Sequence, residues 1–488
     1  MATESMDSIF KRIDNAMRLD EGMSTELEYI EQSSWVLFLK YLDTLESERN
    51  LKAQIDQKQY NYIIQKEFRW NNWATPLKSD GSKSLDKLTG SDLLEYIEKK
   101  LFKYLAGFKL RATHPDTIEY KIGIIFDEIR NRFRSGYQLR EVIDAVEDLK
   151  FGTSSQNHEL SSLYEGKIQR MGNAGRNGGE YYTPRPLIRA LIEVINPQVG
   201  ETIYDGAVGS AGFLCEAFEH LIKKDNLSPD DLNTIQKRTL YGKEKKPLAF
   251  VIGIMNMILH GVDTPNIIRT NTLNENIMDY QEKDRHDIVL ANPPFGSNEN
   301  SEVMLNFPIR NSSETAYLFL QHFIKILKST GRAAIVIKDT FLSNSDAGPL
   351  RQELLKTCNL HTILDCPSGV FTAGVKTAIL FFEKGSPTEK IWYYQLQPVR
   401  STKKIGKTNP LNDNDMQEFL QLQRNFEESE KSWTVDVRSI DTELFDLSVD
   451  NPNIKEKDPL RSPNEILDEI ERFDEESREV IKKIRELL

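Results

Sequence analysis

Apolar residues recur at helical spacing through the first third of the chain. Ile9, Phe10, Ile13 and Met17 share one face of a first helix, and Leu27, Ile30, Leu37, Phe38, Tyr41, Leu42 and Leu45 share that of a second. Leu93, Leu94, Ile97, Leu101 and Tyr104 mark a third, and residues 118–133 and 139–149 two more. Between them, Asn71-Asn72-Trp73-Ala74-Thr75-Pro76 and residues 78–84 carry the Gly, Pro and polar breakers of loops. From about residue 200 to 397 the pattern changes to short continuous apolar runs. Strands are predicted at 202–204, 239–241, 266–269, 287–290, 333–337, 361–364, 378–382 and 391–394, with helices at 212–224, 247–260 and 314–327. Buried runs alternating with helices predict an α/β fold with a mostly parallel sheet covered on both faces. The last strands follow one another without a helix, which predicts antiparallel pairing at that end.

The C-terminal segment is set apart. Asp458-Pro459-Leu460-Arg461 is a breaker, and Ser462-Pro463-Asn464-Glu465 has the form of a capping box with Pro at the first helical position. Ile466, Ile470, Phe473, Ile481, Ile484 and Leu488 form an apolar stripe on a heavily charged helix. Such a stripe packs either on its own domain or, at coiled-coil-like spacing, on a helix of a partner. The chain divides into a helical N-terminal domain (1–160), an α/β core (161–400), an extension or linker (401–457) and a C-terminal helix (458–488).

Charge and composition narrow the function. The 488 residues are 39% hydrophobic and 28% charged, the profile of a soluble globular protein of about two to four domains. No run approaches the roughly 18 apolar residues of a membrane span, and the polar, acidic N-terminus gives no signal peptide. Cys215, Cys358 and Cys366 form neither a disulfide framework nor a zinc-ligand spacing, which points to a reducing cytoplasm. Lys and Arg total 63 against 75 Asp and Glu, a net charge of -12. A chain this acidic is repelled by a polyanion on average, so DNA affinity has to come from a local basic strip or another subunit. One basic stretch stands out. Residues 165–180 interleave Gly166, Gly172, Gly175, Gly178 and Gly179 with Lys167, Arg170 and Arg176. It reads as a flexible linker or as a mobile basic loop over a polyanionic or cofactor site.

Two motifs carry chemistry. Asp205-Gly206-Ala207-Val208-Gly209-Ser210-Ala211-Gly212 follows a strand and opens a helix, where glycines permit close approach and the helix start offers free N–H groups. The next strand ends in Glu244, where a carboxylate would grip a ribose diol. Downstream, a buried strand runs into Asn292-Pro293-Pro294-Phe295. The two prolines stiffen the turn and leave it rich in carbonyl acceptors. Asn292 adds a side-chain carbonyl at the strand's carboxyl end, and Phe295 a ring able to stack on a planar base. Such a site accepts hydrogen bonds from an exocyclic amine. His260 and Cys215 read as packing residues.

At these residues the chain resembles the modification subunits of type I DNA restriction–modification systems. The resemblance implies a class I, Rossmann-like S-adenosylmethionine-dependent methyltransferase that acts on N6 of a flipped adenine in double-stranded DNA. Residues Glu180, Tyr181, Tyr182, Thr183, Pro184 and Arg185 match the family segment that closes over the cofactor. Asp205, Gly209, Ser210, Ala211 and Gly212 match the glycine turn, in which Gly206 is expected to supply the conformational freedom. Glu244 matches the ribose-binding acid, and Asn271 stands where an Asp often contacts the adenine. Asn292, Pro293, Pro294 and Phe295 match the catalytic tetrapeptide, and 371–382 a late core segment. Cofactor motifs before the catalytic motif is the order of the gamma class of amino-methyltransferases. The family further implies a DNA-specificity subunit, a second copy of this chain and a restriction (translocase and nuclease) subunit, with no membrane and no metal. Three rivals share these motifs in part: a stand-alone N6-adenine methyltransferase, an enzyme for protein glutamine or RNA guanine N2, and a catalytically silent scaffold.

Overall fold

The computed structural model describes residues 5–76, 84, 86–114, 117–149, 151, 154–173, 182–371, 374–398, 404–406, 408–453 and 463–487. The first third is helical, as the periodicity predicts: α1 (Met6–Arg18), α2 (Glu26–Ile55), a run over 90–106 with a π turn, α3 (Ile118–Glu128) and α4 (Gly136–Glu147). Ile9, Phe10, Ile13 and Met17 are all buried, and a capping box of Thr25 with Glu28 starts α2. Two departures have local causes. Trp70 and Trp73 both bury, which turns the expected loop there into a short helix, Trp70–Trp73. The helix expected through 133 stops at Glu128 because side chains hold the following backbone. Gln32 bonds Arg130 O and Arg132 N, while Asp20 accepts from Arg134 N and Ser135 N.

A further helix, α5 (Ser154–Asn173), runs through the first half of the glycine-rich stretch. The flexible-loop reading of 165–173 is therefore corrected; 174–180 lie outside the described residues. Leu160, Tyr164, Ile168 and Met171 recur along one face of α5 and are fully buried. Lys167, read as a loop cation, is buried in an ion pair with Asp14. Then follow α6 (Arg185–Ile195), α7 (Gly212–Ile222), α8 (Pro247–Leu259), α9 (Thr315–Ile326) and α10 (Gly348–Thr357).

These helices cover a nine-stranded sheet of order β3-β2-β1-β4-β5-β7-β6-β8-β9. The strands are β1 Ile203–Asp205, β2 Leu240–Glu244, β3 Ile267–Arg269, β4 His286–Ala291, β5 Leu327–Lys338, β6 Cys358–Cys366, β7 Thr377–Lys384, β8 Lys390–Gln395 and β9 Ser432–Asp436. The first five pair in parallel. β7 is antiparallel to β5 and β6, and β9 to β8, whereas β6 and β8 are parallel. The predicted antiparallel end is thus confined to β7 and β9. Alternate strand residues feed two cores. Ile203, Ile288, Leu290, Ala334 and Val336 join one that is continuous with the N-terminal helices. Tyr204, Val289, Ala291, Ala333 and Ile335 face the second, under α9 and α10. Lys121 of α3 donates to Ile267 O of β3 at 2.7 Å, so a polar contact also crosses from the helical region to the sheet.

The stretch 401–457 adds α11 (Asp413–Gln423) and β9, neither of which the hydropathy pattern singled out. The last helix, α12 (Pro463–Leu487), departs from one of its two readings. Leu467, Ile470, Phe473, Val480, Ile481 and Ile484 are each more than half exposed, so the chain's own domains do not cover the stripe. Pro463 starts the helix as expected; the breaker at 458–461 and Leu488 lie outside the described residues. No described helix is long and apolar enough to cross a membrane.

Candidate active site

Strand order reverses between β1 and β4, and ligands of open α/β sheets bind at the carboxyl ends of strands at such a point. Both sequence motifs end there. β1 delivers Asp205, which is buried. Its Oδ1 accepts from Ala207 N at 2.9 Å, while Oδ2 has no hydrogen-bond partner. Burial pushes its carboxyl up to about 8, against the Ala207 amide and with the help of nearby Glu244. In the turn, Gly209 and Ala211 take the left-handed backbone, at φ 53° and 61°. Gly206 does not, which corrects the expectation placed on it. Its need is space: a Cβ there would lie 3.0 Å from the Phe323 ring and 3.1 Å from the Tyr204 hydroxyl. Gly212 is required for the same reason, since a Cβ would collide with the Arg185 guanidinium.

Glu244 holds this turn from the end of β2. Its Oε2 accepts from Gly209 N at 2.8 Å and its Oε1 from Lys246 N at 2.7 Å. Burial raises its pKa, and those two amides oppose the shift. Asn271 sits after β3 and caps a turn, accepting from Leu273 N at 3.3 Å and donating to Asn274 Oδ1 at 2.8 Å. Thr272 beside it donates to Gly206 O at 2.6 Å, tying this loop to the glycine turn.

β4 delivers Asn292. Its Nδ2 donates to Thr183 Oγ1 at 3.0 Å, and its Oδ1 is buried with no hydrogen-bond partner. Pro293 is buried and Pro294 half-buried. The half-buried Phe295 ring meets Phe371 edge-on, at 6.4 Å and 87°. Thr183 belongs to the segment that precedes α6. Pro184 ends that segment as the residue that precedes α6, and Tyr182 packs against α5 where Gly172 leaves room for it. Glu180 and Tyr181 lie outside the described residues.

A buried ion pair stands behind Thr183. Arg185 Nε and Nη2 each donate to Glu165 at 2.8 Å, Nη1 donates to Thr183 O at 3.0 Å, and Nη2 reaches Ser210 Oγ at 3.3 Å. Asn256 Nδ2 donates to Glu165 Oε1 at 2.6 Å and to Ser210 O at 2.8 Å. The Arg185 guanidinium, expected at the cofactor, is thus engaged by protein groups on every side. Glu165 is held below the ordinary carboxylate range despite its burial, by Arg185 first and then by His260 and Asn256.

The family model described as N-6 DNA methylase matches residues 155–458, and that of the HsdM N-terminal domain matches 7–146. The chain is 34% identical over 498 aligned residues to the type I restriction enzyme EcoEI methylase subunit of Escherichia coli, covering 99% of this chain and 98% of that one. The chain belongs to the type I restriction–modification methylase subunits. Among solved structures, a Vibrio vulnificus YJ016 protein described as a type I modification subunit is 33% identical at a TM-score of 0.79, covering 92% and 96% of the two chains. A chain from a study of complex assembly in the type I R-M system is 35% identical at a TM-score of 0.80, covering 100% and 99%. Members of this family are adenine-specific DNA methyltransferases, and this chain is one.

In this methylase subunit the two motifs read from sequence come together, but their supports were not all legible. Glu165 entered the sequence reading only as the edge of a glycine-rich stretch. Asn256 carried a usable signal, being the one amide side chain within the apolar helix α8, and it is fully buried. A lone buried amide has to find partners. His260 packs as read, its Nδ1 2.8 Å from Asn256 O, and Cys215 is core.

Proposed function

We propose that this subunit binds S-adenosylmethionine on the turn 205–212 and presents adenine N6 to Asn292, within a complex whose other chains read the DNA. The observation that carries the reading is Asn292 Oδ1, a buried acceptor with no hydrogen-bond partner at the carboxyl end of β4. Orphaned buried acceptors are rare, and one at a topological switch point is a place for a ligand donor. An exocyclic amine supplies such a donor. Asn292 Oδ1 and the Pro293 carbonyl accept its two N–H groups and keep electron density on N6. Phe295 offers its face to the base, which leaves the duplex at a cost of a few kcal/mol.

The cofactor fits the residues of the turn. S-adenosylmethionine carries an ammonium and a sulfonium, and Asp205 offers an unpartnered buried carboxyl oxygen, whose ionised form a bound cation would favour. When bound, it supplies an electrophilic methyl group. Glu244 already accepts two backbone amides, yet each carboxylate oxygen keeps a second lone pair for a diol. Asn271 can accept a further bond through the oxygen that caps Leu273. Tyr182, Thr183 and Pro184 wall the site from the α6 side, and the family motif alone adds Glu180 and Tyr181 to the cofactor residues. What these groups do is bind, orient and exclude water, so positioning is the main protein contribution.

The net charge of -12 supports a reading in which another chain supplies much of the DNA affinity, and α12 offers a docking element for it. Its exposed apolar stripe suits a helix of a specificity subunit. A second copy of this chain and a restriction subunit complete the assembly, in the cytoplasm. The domain limits 1–160, 161–400, 401–457 and 458–488 belong to this proposal. Sequencing that detects N6-methyladenine tests it in host cells carrying wild type, Asn292→Ala or no gene. The expected result is methylation at a split motif on both strands with wild type only. An unchanged methylome with all subunits expressed sends the activity to protein or RNA, or makes the chain a scaffold.

A further inference from the structure

We propose that Glu165 and Arg185 are positioning residues for the methyl transfer, acting through Thr183 to hold the Asn292 amide in place. The proposal rests on the reading of Asn292 given above. A planar amide can present either its oxygen or its NH2 to a substrate amine, and only the oxygen accepts. Here Thr183 Oγ1 accepts from Nδ2 at 3.0 Å and Oδ1 faces the other way; the hydroxyl can also donate, so what Thr183 fixes is the place of the amide beside it. Thr183 is in turn held by its own carbonyl, which accepts from Arg185 Nη1 at 3.0 Å. Glu165 grips the other side of the same guanidinium with two bonds of 2.8 Å. The chain of contacts runs from helix α5 to the catalytic side chain without a gap.

Stability alone is a weak reason for this ion pair. A buried carboxylate–guanidinium pair contributes little net folding energy against an apolar replacement, because desolvation offsets the attraction. Its geometry gives the better reason: a bidentate fork has one orientation, so Thr183 O has one place to be. Helix α5 is itself anchored on the N-terminal helices α1 and α2. Tyr164 OH lies 2.6 Å from Ser34 Oγ, and Arg170 Nη2 donates to Asp14 at 3.1 Å. The N-terminal helices therefore form the rigid base on which the Asn292 lock is built, without touching the reacting atoms.

The test uses the full chain assembled with its specificity subunit and a duplex carrying the target. Turnover and S-adenosylmethionine affinity are measured for wild type, Thr183→Val, Thr183→Ser, Glu165→Gln and Asn292→Ala. Thr183→Val removes the acceptor at nearly constant volume and is expected to lower kcat about 10- to 100-fold. Cofactor Kd should stay within about threefold, since ground-state binding is not what the lock serves. Thr183→Ser should restore turnover. Glu165→Gln should lower kcat by about tenfold, and its combination with Thr183→Val should do no more than Thr183→Val alone, as expected of one chain of contacts. An unchanged kcat in Thr183→Val overturns the proposal. So does a Kd that rises as kcat falls, which would make Thr183 a cofactor ligand, or a Thr183→Ser variant as slow as Val. If Glu165→Gln does not fold, the Val and Ser pair decides. Full activity in Asn292→Ala would instead overturn the assignment of Asn292, a distinct result.

Discussion

Two buried polar networks lie beside the carboxyl end of β1, and they differ in whether they close. One is centred on His322 of α9. Tyr204 Oη lies 3.0 Å from its Nε2 and Tyr280 Oη 2.9 Å from its Nδ1. Tyr280 donates to Glu275 at 3.0 Å, and Lys243 Nζ to the same carboxylate at 2.5 Å. Burial, with Lys243 and His286 nearby, keeps the His322 pKa far below its ordinary value, so the ring is neutral and has one N–H. Because the Tyr280 proton goes to Glu275, that N–H is on Nδ1, and Tyr204 donates to Nε2. Each hydroxyl and ring N–H of this network has an acceptor. The other network runs from Glu165 through Arg185 and Thr183 to Asn292 and stops at an oxygen with no partner. A closed network fixes the fold; one that ends on an unpartnered oxygen leaves an atom for a substrate.

The comparison breaks if loss of the two networks has the same consequence. Asn292→Ala should reduce methyl transfer by at least about 10²- to 10³-fold, the scale seen when one preorganised transition-state contact is removed. Unfolding in urea should change by only about 1 kcal/mol, since the amide gives up one hydrogen bond, to Thr183, and its Oδ1 had no partner to lose. His322→Leu should do the reverse. It leaves two buried tyrosine hydroxyls short of a partner and should cost about 2–4 kcal/mol of stability. Turnover of the folded fraction should stay within a few fold. A His322→Leu chain that is stable but inactive would place that network in the chemistry.

A smaller effect sharpens the same contrast through pH. The folded chain holds the Asp205 proton up to about 8, whereas an unfolded Asp releases it near 4. Between these values the folded state binds more protons than the unfolded one, so this group makes stability fall as pH rises. Asp205→Asn keeps an acceptor for the Ala207 amide and should flatten that slope, measured as urea midpoints from pH 5 to 8. A slope unchanged by the substitution would show that Asp205 ionises freely in the fold.

Much of the α/β core was legible because its signals are local. The run Ile288-Val289-Leu290-Ala291 is apolar on both faces, and β4 is buried along most of its length. Helix α7 begins at Gly212, where the glycine turn placed it. Residues 165–173 were misread because Gly166 and Gly172 suggest a loop to any local rule. Gly172 in fact makes room for Tyr182, which is remote in the pattern. β9 went unseen because its burial depends on its pairing with β8. The site splits along the same line. The tetrapeptide at Asn292 announces itself, whereas Glu165 and Asn256 have no motif around them.

By itself the sequence determined the helical first third, the alternation of strand and helix, the glycine turn and the proline-stiffened Asn292. Each follows from residues close in the chain, through periodicity, backbone φ or the loss of an N–H. Only the tertiary structure decided that Asn292 meets Thr183, 109 residues away, and that Glu165 meets Asn256 across 91. It also decided that the C-terminal stripe stays uncovered. Polar groups are satisfied by whatever donor or acceptor the fold brings within about 3 Å, and that proximity is a property of packing rather than of spacing along the chain.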